Sequence, residues 1–488
     1  MKAPEAGRAH SGNLRARILS SSLGRNLISV AGATAAAKLL ALLNFTIAAR
    51  LLGPENFGRV GFATSLVAYA SILLSPGLVV WGTREVARDH PRAGEILVAL
   101  RAIQSGLAIL AYGGLAAFAF FFTTDAVQRT VILCSGLSLF TTALTLDWLF
   151  NGLELMWVPA GIGILSAGAT LAAVATLVRS PRDVGLYSII SPLGLAFGVA
   201  CGYVVLPLKT QVRPTWPGWK TIAAAVRRSS WLGATSALVI VLHYANNILV
   251  KAFAGPVALG IFAAPFRIVE MATLLPGTLA VVFQPRLARF AAVRSGTARR
   301  EAAIFARVHI TAACLIGGFL FAESPAVIHL LYGAAYWAAA PLLRILSASI
   351  IFNYAICGYT NCLIAFGRDR VMLLVVAISA AVSVAGGFSL VPRFGATGAA
   401  VTVACIDCGG WIASLPYYQR TIGSLQLKAW TAPLLGGVTM YFASHMLQTW
   451  GMPLILRAPL VVAAYCPFAI RGMWAGGVNA ASDLQQTE

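Results

Sequence analysis

Apolar positions in this chain neither alternate nor form one-sided stripes; they run on. Stretches of about 18 or more mostly apolar residues recur from Leu27 almost to Trp474, each long enough as a helix to cross a hydrocarbon layer of roughly 30 Å. In lipid a backbone must satisfy its own polar groups, so runs of this kind are read as helices. The pattern predicts helices over 26–49, 58–80, 98–122, 127–150, 154–178, 185–208, 229–253, 258–284, 302–322, 338–364, 371–391, 395–416, 431–449 and 453–474. The expected fold class is all-α integral membrane, with about fourteen transmembrane helices.

Polar breaks suggest the organisation. A basic cytoplasmic tail (1–25) precedes an N-terminal six-helix lobe (26–208). A cytoplasmic linker (209–228) leads to a C-terminal six-helix lobe (229–416), two appended helices (417–474) and a cytoplasmic tail (475–488). Lys2, Arg8, Arg15, Arg17 and Arg25 punctuate the first segment with no apolar core between them, so a cleavable secretory signal is not expected. The longest predicted external loop, around Glu323–Trp337, leaves no room for an extramembrane catalytic domain. An enzyme is therefore not expected.

Composition agrees: 59% of residues are hydrophobic and 11% charged, against about 25% charged in soluble domains. The net charge of +20 raises the question of nucleic acid. The placement of the charge answers it. Lys and Arg gather in the N-terminal tail, at Arg84, Arg88, Arg92 and Arg101, in the linker, and between the eighth and ninth helices. The opposite side receives only Arg50, Arg59, Arg129, Arg179, Arg182, Lys251, Arg393 and Arg457. This is the positive-inside bias of a membrane protein with both termini in the cytoplasm. No nucleic-acid partner is expected, and the Arg84–Arg101 cluster is read in the same way. Trp81, Trp148, Trp157, Trp231, Trp337, Trp430 and Trp450 fall near helix ends, as an interfacial belt requires. The eight cysteines lie within apolar segments. Cys405 and Cys408 have the spacing of a metal or redox pair but lack partner ligands, so no metal, disulfide or cofactor is expected.

A repeat then emerges. Gly53-Pro54 and Gly58, between helices one and two, match Gly255-Pro256 and Gly260, between helices seven and eight, at one constant offset. A weaker echo pairs Phe150-Asn151-Gly152 with Ala365-Phe366-Gly367. Two parallel six-helix halves around a central substrate site are a transporter architecture that works by rocking.

The wording of several segments points further. Ala49-Arg50-Leu51-Leu52-Gly53-Pro54-Glu55-Asn56-Phe57-Gly58, Thr83-Arg84-Glu85-Val86-Ala87-Arg88-Asp89, Asp147-Trp148-Leu149-Phe150-Asn151-Gly152-Leu153-Glu154 and Ala365-Phe366-Gly367-Arg368 resemble the polysaccharide (O-antigen) flippase family. This is the Wzx-like branch of the multidrug/oligosaccharidyl-lipid/polysaccharide (MOP) exporter superfamily. The resemblance runs from about Arg25 to Arg420. It implies transport of an undecaprenyl-pyrophosphate-linked oligosaccharide from the cytoplasmic to the periplasmic leaflet of a bacterial inner membrane, for polysaccharide biosynthesis. It implies two lobes around a cavity lined by helices one, two, seven and eight, with the last two helices bounding a groove for the lipid tail. The partners expected are that lipid-linked oligosaccharide, bilayer lipid, and polysaccharide polymerase and export machinery. The chain departs from the family at Asn246-Asn247, where members often carry Asp. That weakens the carry-over of a cation-coupling role. Amides still suit a cation or a sugar hydroxyl.

Charges at membrane depth mark function by default. Lys38 lies mid-helix one, Arg267 and Glu270 share a face of helix eight, Asp407 lies mid-helix twelve, and Arg344 is nearer an end of helix ten. Lys as a point charge and Arg as a fork both match a pyrophosphate, so Lys38, Arg267 and Arg344 are candidate substrate cations. Lys38 and Arg267 are expected to converge on one anion. The bland alternatives are an Arg267–Glu270 ion pair, snorkelling of Lys38 or Arg344, and a hydrogen-bonded structural Asp407. Asn44 and Asn246, repeat-equivalent, are candidates for sugar contacts, with interhelical hydrogen bonding as the alternative. Glu270, Asp407 and His243 are candidates for coupling or structural charge; a lone His such as His243 or His309 more often bonds between helices. No Gly-x-x-x-x-Gly-Lys run occurs, and none is needed. Two negative charges leaving a negative interior gain about 4.6 kcal/mol per 100 mV. The competing functions are a peptidoglycan-precursor flippase or multidrug exporter of the same superfamily, and a membrane glycan polymerase or ligase.

Overall fold

In the computed structural model, residues 22–474 are described apart from 75, 274, 278, 281–282, 284–286, 288–295, 369 and 423–426. Most of the basic tail, all of the C-terminal tail, and Arg286, Arg289 and Arg294 of the expected cytoplasmic loop lie outside the described residues.

The helices are α1 (Ser22–Leu74), α2 (Pro76–Arg88), α3 (Ala93–Phe122), α4 (Ala126–Gly136), α5 (Ser138–Ala143), α6 (Asp147–Gly152), α7 (Trp157–Leu177) and α8 (Val184–Lys209). They continue as α9 (Trp219–Ala272), α10 (Gly296–Ala322), α11 (Ser324–Tyr332), α12 (Ala340–Ala365), α13 (Arg370–Ile422), α14 (Leu427–Thr449) and α15 (Leu454–Trp474). No strand occurs among the described residues. Among the described residues ten stretches are long and apolar enough to cross a membrane, and the chain is a multi-pass membrane protein.

Three of those helices carry two predicted crossings each. α1 has 53 residues, α9 has 54 and α13 has 53. Straight, each would reach about 80 Å, far beyond a bilayer core of roughly 30 Å. Each is broken at one glycine: Gly53 (φ 74°), Gly255 (φ 85°) and Gly395 (φ 55°). A positive φ is inexpensive only without a Cβ, and a single such residue turns the chain without a loop. The loops expected at 50–57 and 254–257 are therefore continuous helix around a one-residue bend. The predicted helix 127–150 is not continuous. It divides into α4, α5 and α6, with breaks after Gly136 and at Leu144–Leu146. The expected external loop at 323–337 is folded as α11 and a 3-10 turn, Ala334–Ala339. The weaker sequence echo also fails to repeat in conformation: Gly367 has φ 73°, whereas Gly152 is helical and the left-handed residue near it is Glu154 (φ 61°).

The chain forms two compact units. One runs to Phe45 and takes in Leu66–Ala237; the other comprises Thr46–Ser65 and everything from Leu238 onward. The boundary differs from the expected lobes in one telling way: the first bend, with its flanks, belongs to the second unit. The glycines explain it. A Cβ on Gly58 would collide with the carbonyl oxygen of Pro256, and a Cβ on Gly260 with the carbonyl oxygen of Pro54. The two repeats thus cross reciprocally, each glycine Cα–H facing the other's bend carbonyl, a contact found where helix backbones touch. The segment after α10 clasps this crossing. Tyr336 Oη donates to Ala49 O at 3.0 Å, Arg50 Nε donates to Leu331 O at 2.7 Å, and Tyr332 Oη donates to Ala264 O at 2.9 Å.

Each unit has its own core. In the first, Trp148, Leu149 and Phe150 of α6 pack with Val86, Ile96 and Leu100. In the second, Phe305, Ile310 and Cys314 of α10 pack with Tyr359, Met440 and Tyr465. There the last helix is latched by charge. Arg457 Nε and Nη2 donate to both oxygens of Glu323, at 2.8 and 2.5 Å, and both residues are buried. Breaking a buried pair strands the remaining charge at about 3–5 kcal/mol. Glu323→Ala is expected to lower the thermal midpoint of the purified protein sharply, and Glu323→Leu/Arg457→Met to recover much of the loss. Equal midpoints for wild type and Glu323→Ala would contradict the latch.

Candidate functional site

The charges of the second unit meet because α9 folds back on itself. His243 lies twelve residues before Gly255 and Glu270 fifteen after it. At about 1.5 Å per residue both stand roughly 20 Å from the bend, so the two limbs bring them level. Arg267 Nη1 donates to Glu270 Oε2 at 2.6 Å, and His243 Nε2 lies 3.6 Å from Glu270 Oε1. Phe266 packs against the imidazole at 5.3 Å between ring centroids. The three polar side chains remain 16–37% exposed, as groups bordering a polar space would be; intramembrane charges rarely face lipid.

A second carboxylate joins them. Asp407, on the limb of α13 beyond Gly395, accepts from Asn353 Nδ2 of α12 at 3.2 Å and is within electrostatic range of His243. The unit therefore holds an imidazole beside an arginine-paired carboxylate, with a second, amide-bonded carboxylate within electrostatic range. Arg267 is an ion-paired cation here rather than an isolated one. Asn353 escaped the sequence reading. Its only signal was an amide within an apolar run.

One turn from His243, Asn246 and Asn247 are buried. Asn247 Nδ2 donates to Ser65 Oγ at 2.9 Å, while the Oδ1 atoms of both amides find no donor among the described residues. Leaving such an acceptor unmet costs about 1–3 kcal/mol. Asn44, buried in the first unit, is in the same position.

Lys38 is placed differently. It sits on the first limb of α1, fifteen residues or about 22 Å from the Gly53 bend. It is exposed and makes no ion pair among the described residues. Arg344 belongs to neither group. Its Nε donates to Ser324 Oγ at 3.0 Å, and it borders an apolar groove of the second unit. His309 is fully buried, with Nδ1 2.9 Å from Phe305 O and Nε2 3.3 Å from Pro276 O, so its ring ties α10 to neighbouring backbone.

The Arg84–Arg101 cluster is not one surface. Arg92 pairs with Glu95 at 3.1 Å. Arg101 turns inward, donating to the carbonyls of Ala143 and Thr145 and lying over the Trp148 ring at 5.9 Å. These carbonyls are left over where α5 ends, and a guanidinium is well suited to satisfy them. The broken fourth helix and the buried arginine explain each other.

Three comparisons with known proteins bear on this arrangement. A family profile described as "Polysaccharide biosynthesis protein" matches residues 23–291. A protein of Escherichia coli (strain K12) named "Putative O-antigen transporter" is 25% identical over 421 residues, covering 79% of this chain and 94% of its own length. Among solved structures, "Lipid II flippase MurJ, inward closed conformation" superposes with a TM-score of 0.70 at 13% identity, over 92% of this chain and 99% of that one. The inward-facing conformation of a multidrug resistance MATE family transporter of the MOP superfamily gives 0.64 at 13% identity, over 79% and 94%. The two structures establish the fold.

Proposed function

We propose, from the premise that this chain belongs to the polysaccharide biosynthesis protein family, that it moves a lipid-linked oligosaccharide of the undecaprenyl-pyrophosphate type across the bacterial inner membrane. The direction is from the cytoplasmic to the periplasmic leaflet, with both termini in the cytoplasm. That it is a membrane transporter of this superfamily, and no enzyme, follows from the family match, the relative and the fold.

The observation that carries the substrate class is Lys38. An isolated ammonium at this depth costs at least about 2.5–3.5 kcal/mol on the more lenient scales. A structural lysine would be paired with a carboxylate; this one is exposed without an acidic partner among the described residues. A diphosphate passing through the bilayer supplies the missing anion. A cationic drug would be repelled by the same charge, which disfavours the multidrug reading.

The cycle then needs no nucleotide. The protein screens the pyrophosphate at mid-depth while the membrane potential favours its exit, and the prenyl tail stays in lipid. The cluster of Glu270, His243 and Asp407 is a candidate for coupling that cycle to a proton, because carboxylates and imidazoles are the side chains from which proton relays in membranes are built. Deleting the gene is expected to leave a lipid-linked saccharide on the cytoplasmic leaflet, readable by mass spectrometry of extracted lipids and by its protection from external glycosidase. Accumulation of drug instead, with saccharide export intact, would refute the proposal.

A further inference from the structure

We propose that the groove formed by α10, α12 and the second limb of α13 binds one anionic phospholipid of the bilayer, with its phosphate on Arg344 and one hydrocarbon chain along the groove. Arg344, a candidate substrate cation by sequence, is given to this groove instead; the site uses neither Lys38 nor the cluster of Glu270, His243 and Asp407, and it stands or falls independently of the transport reading.

The groove has a volume of about 410 Å³, at the small end of the roughly 300–1,000 Å³ found for ligand pockets. Arg344 lies in the second turn of α12. Phe352, at the far end, is eight residues on, about 12 Å deeper along the helix. Ile345, Ala348, Val401 and Ala404 form the walls between them, with Cys405 and Cys408 alongside. Among the described residues Arg344 is the only charged one of the lining. The groove's own surface is apolar throughout, the stem of Arg344 included; the guanidinium belongs to the residue nearest the helix start and the apolar body runs away from it along α12, the order in which a phospholipid presents its own phosphate and chain.

Arg344 is both held and available. Its Nε is committed to the Oγ of Ser324, which is completely buried. Its two terminal amines have no acceptor among the described residues, and the side chain is exposed. The carboxylate next to its anchor, Glu323, is already engaged on both oxygens by Arg457. No acid therefore competes for the guanidinium. A fixed arginine fork matches two oxygens of a phosphate. With no carboxylate to receive a headgroup amine, the site favours a net-negative headgroup over a zwitterionic one. A soluble anion would leave the apolar walls unused. The three helices that form the groove each carry a stretch long and apolar enough to cross a membrane, so a bilayer lipid is within its reach.

The test uses the full chain, purified in detergent and stripped of lipid. It is titrated with phosphatidylglycerol and with phosphatidylethanolamine of identical acyl chains, and retained adducts are counted by native mass spectrometry. One phosphatidylglycerol adduct is expected to bind about tenfold more tightly than its zwitterionic counterpart, because both offer the same phosphate to Arg344 but the ammonium of phosphatidylethanolamine repels the guanidinium and finds no carboxylate in the groove. Arg344→Gln is expected to erase that preference, and Arg344→Lys, which keeps the charge without the fork, to retain part of it. Ala404→Phe fills the groove while leaving Arg344 in place, and is expected to lose the adduct as well; Ala348→Phe does the same from the other wall. Thermal midpoints without lipid identify any variant that fails to fold, and the remaining variants then decide. Equal retention of the two lipids by the wild type overturns the proposal. So does undiminished phosphatidylglycerol binding in folded Arg344→Gln or in a folded groove-filling variant. Displacement of the adduct by equimolar polyprenyl phosphate also overturns it, because the occupant would then be the transported class of lipid.

Discussion

Lys38→Ala is expected to abolish saccharide export at normal protein levels. The side chain is exposed on a crossing helix and has no acidic partner among the described residues. Its removal therefore deletes no packing and breaks no ion pair, and abundance and thermal midpoint should hardly change. The transported diphosphate would lose a charge-assisted contact worth about 1.5–3 kcal/mol in ordinary surroundings. In the low dielectric of a membrane passage the Coulomb energy is larger still. A barrier raised by about 3 kcal/mol slows transport more than a hundredfold. Lys38→Arg should retain most function, and Lys38→Glu should fall below the alanine variant because it repels the diphosphate. The measurement is complementation of the deletion strain, with membrane abundance checked by blot. Full export by Lys38→Ala at wild-type abundance would remove the carrying observation from the proposal.

The second large effect concerns the crossing of the two bends. Gly58→Val and Gly260→Val each place carbon where the structure has the carbonyl oxygen of Pro256 or of Pro54. These are backbone atoms and cannot rotate away. Overpacking of this kind costs about 1–3 kcal/mol when the surroundings give, and more when they do not. Each variant is expected to lower the thermal midpoint and reduce export. The double variant should lose less than the sum of the two, because both open the same seam and the second pays for a contact already broken. Gly113→Ala and Gly114→Ala, whose added carbons meet nothing within 4 Å, should leave the midpoint nearly unchanged. Strict additivity, or wild-type stability in the valine variants, would show that the crossing is not closed in the folded protein.

These two predictions differ in how much of each could be read from residues alone. Lys38 was conspicuous in the sequence, since a charge within a long apolar run announces itself. Gly58 and Gly260 were conspicuous only as members of a repeat. That the two copies touch each other, glycine to carbonyl, could not be inferred from their spacing. Arg267 is a different case. It looked like a second substrate cation, and the alternative was an ion pair with Glu270, three residues on. The structure has the pair at 2.6 Å, with His243 drawn in from the other limb of α9. Arg101 looked like one of four cytoplasmic charges and proved to be the side chain that satisfies the carbonyls of a broken helix. The break itself was hidden, because hydropathy over 127–150 is continuous whether or not the backbone is. Glu323 and Arg457, far apart in the chain and assigned only to the outer side, form a buried bidentate pair.

By itself the sequence determined what depends on local composition and period. These are the all-helical class, the recurrence of stretches apolar enough to cross a membrane and the matched bends at Gly53 and Gly255. Such features follow from the cost of exposing backbone and charge to lipid, a cost each segment meets alone. Tertiary structure decided which charges have partners, which glycines serve contact rather than turning, and that Arg344 faces a groove apart from His243, Glu270 and Asp407. Those outcomes depend on side chains brought together from distant segments, where energies turn on ångström separations that no one-dimensional pattern encodes.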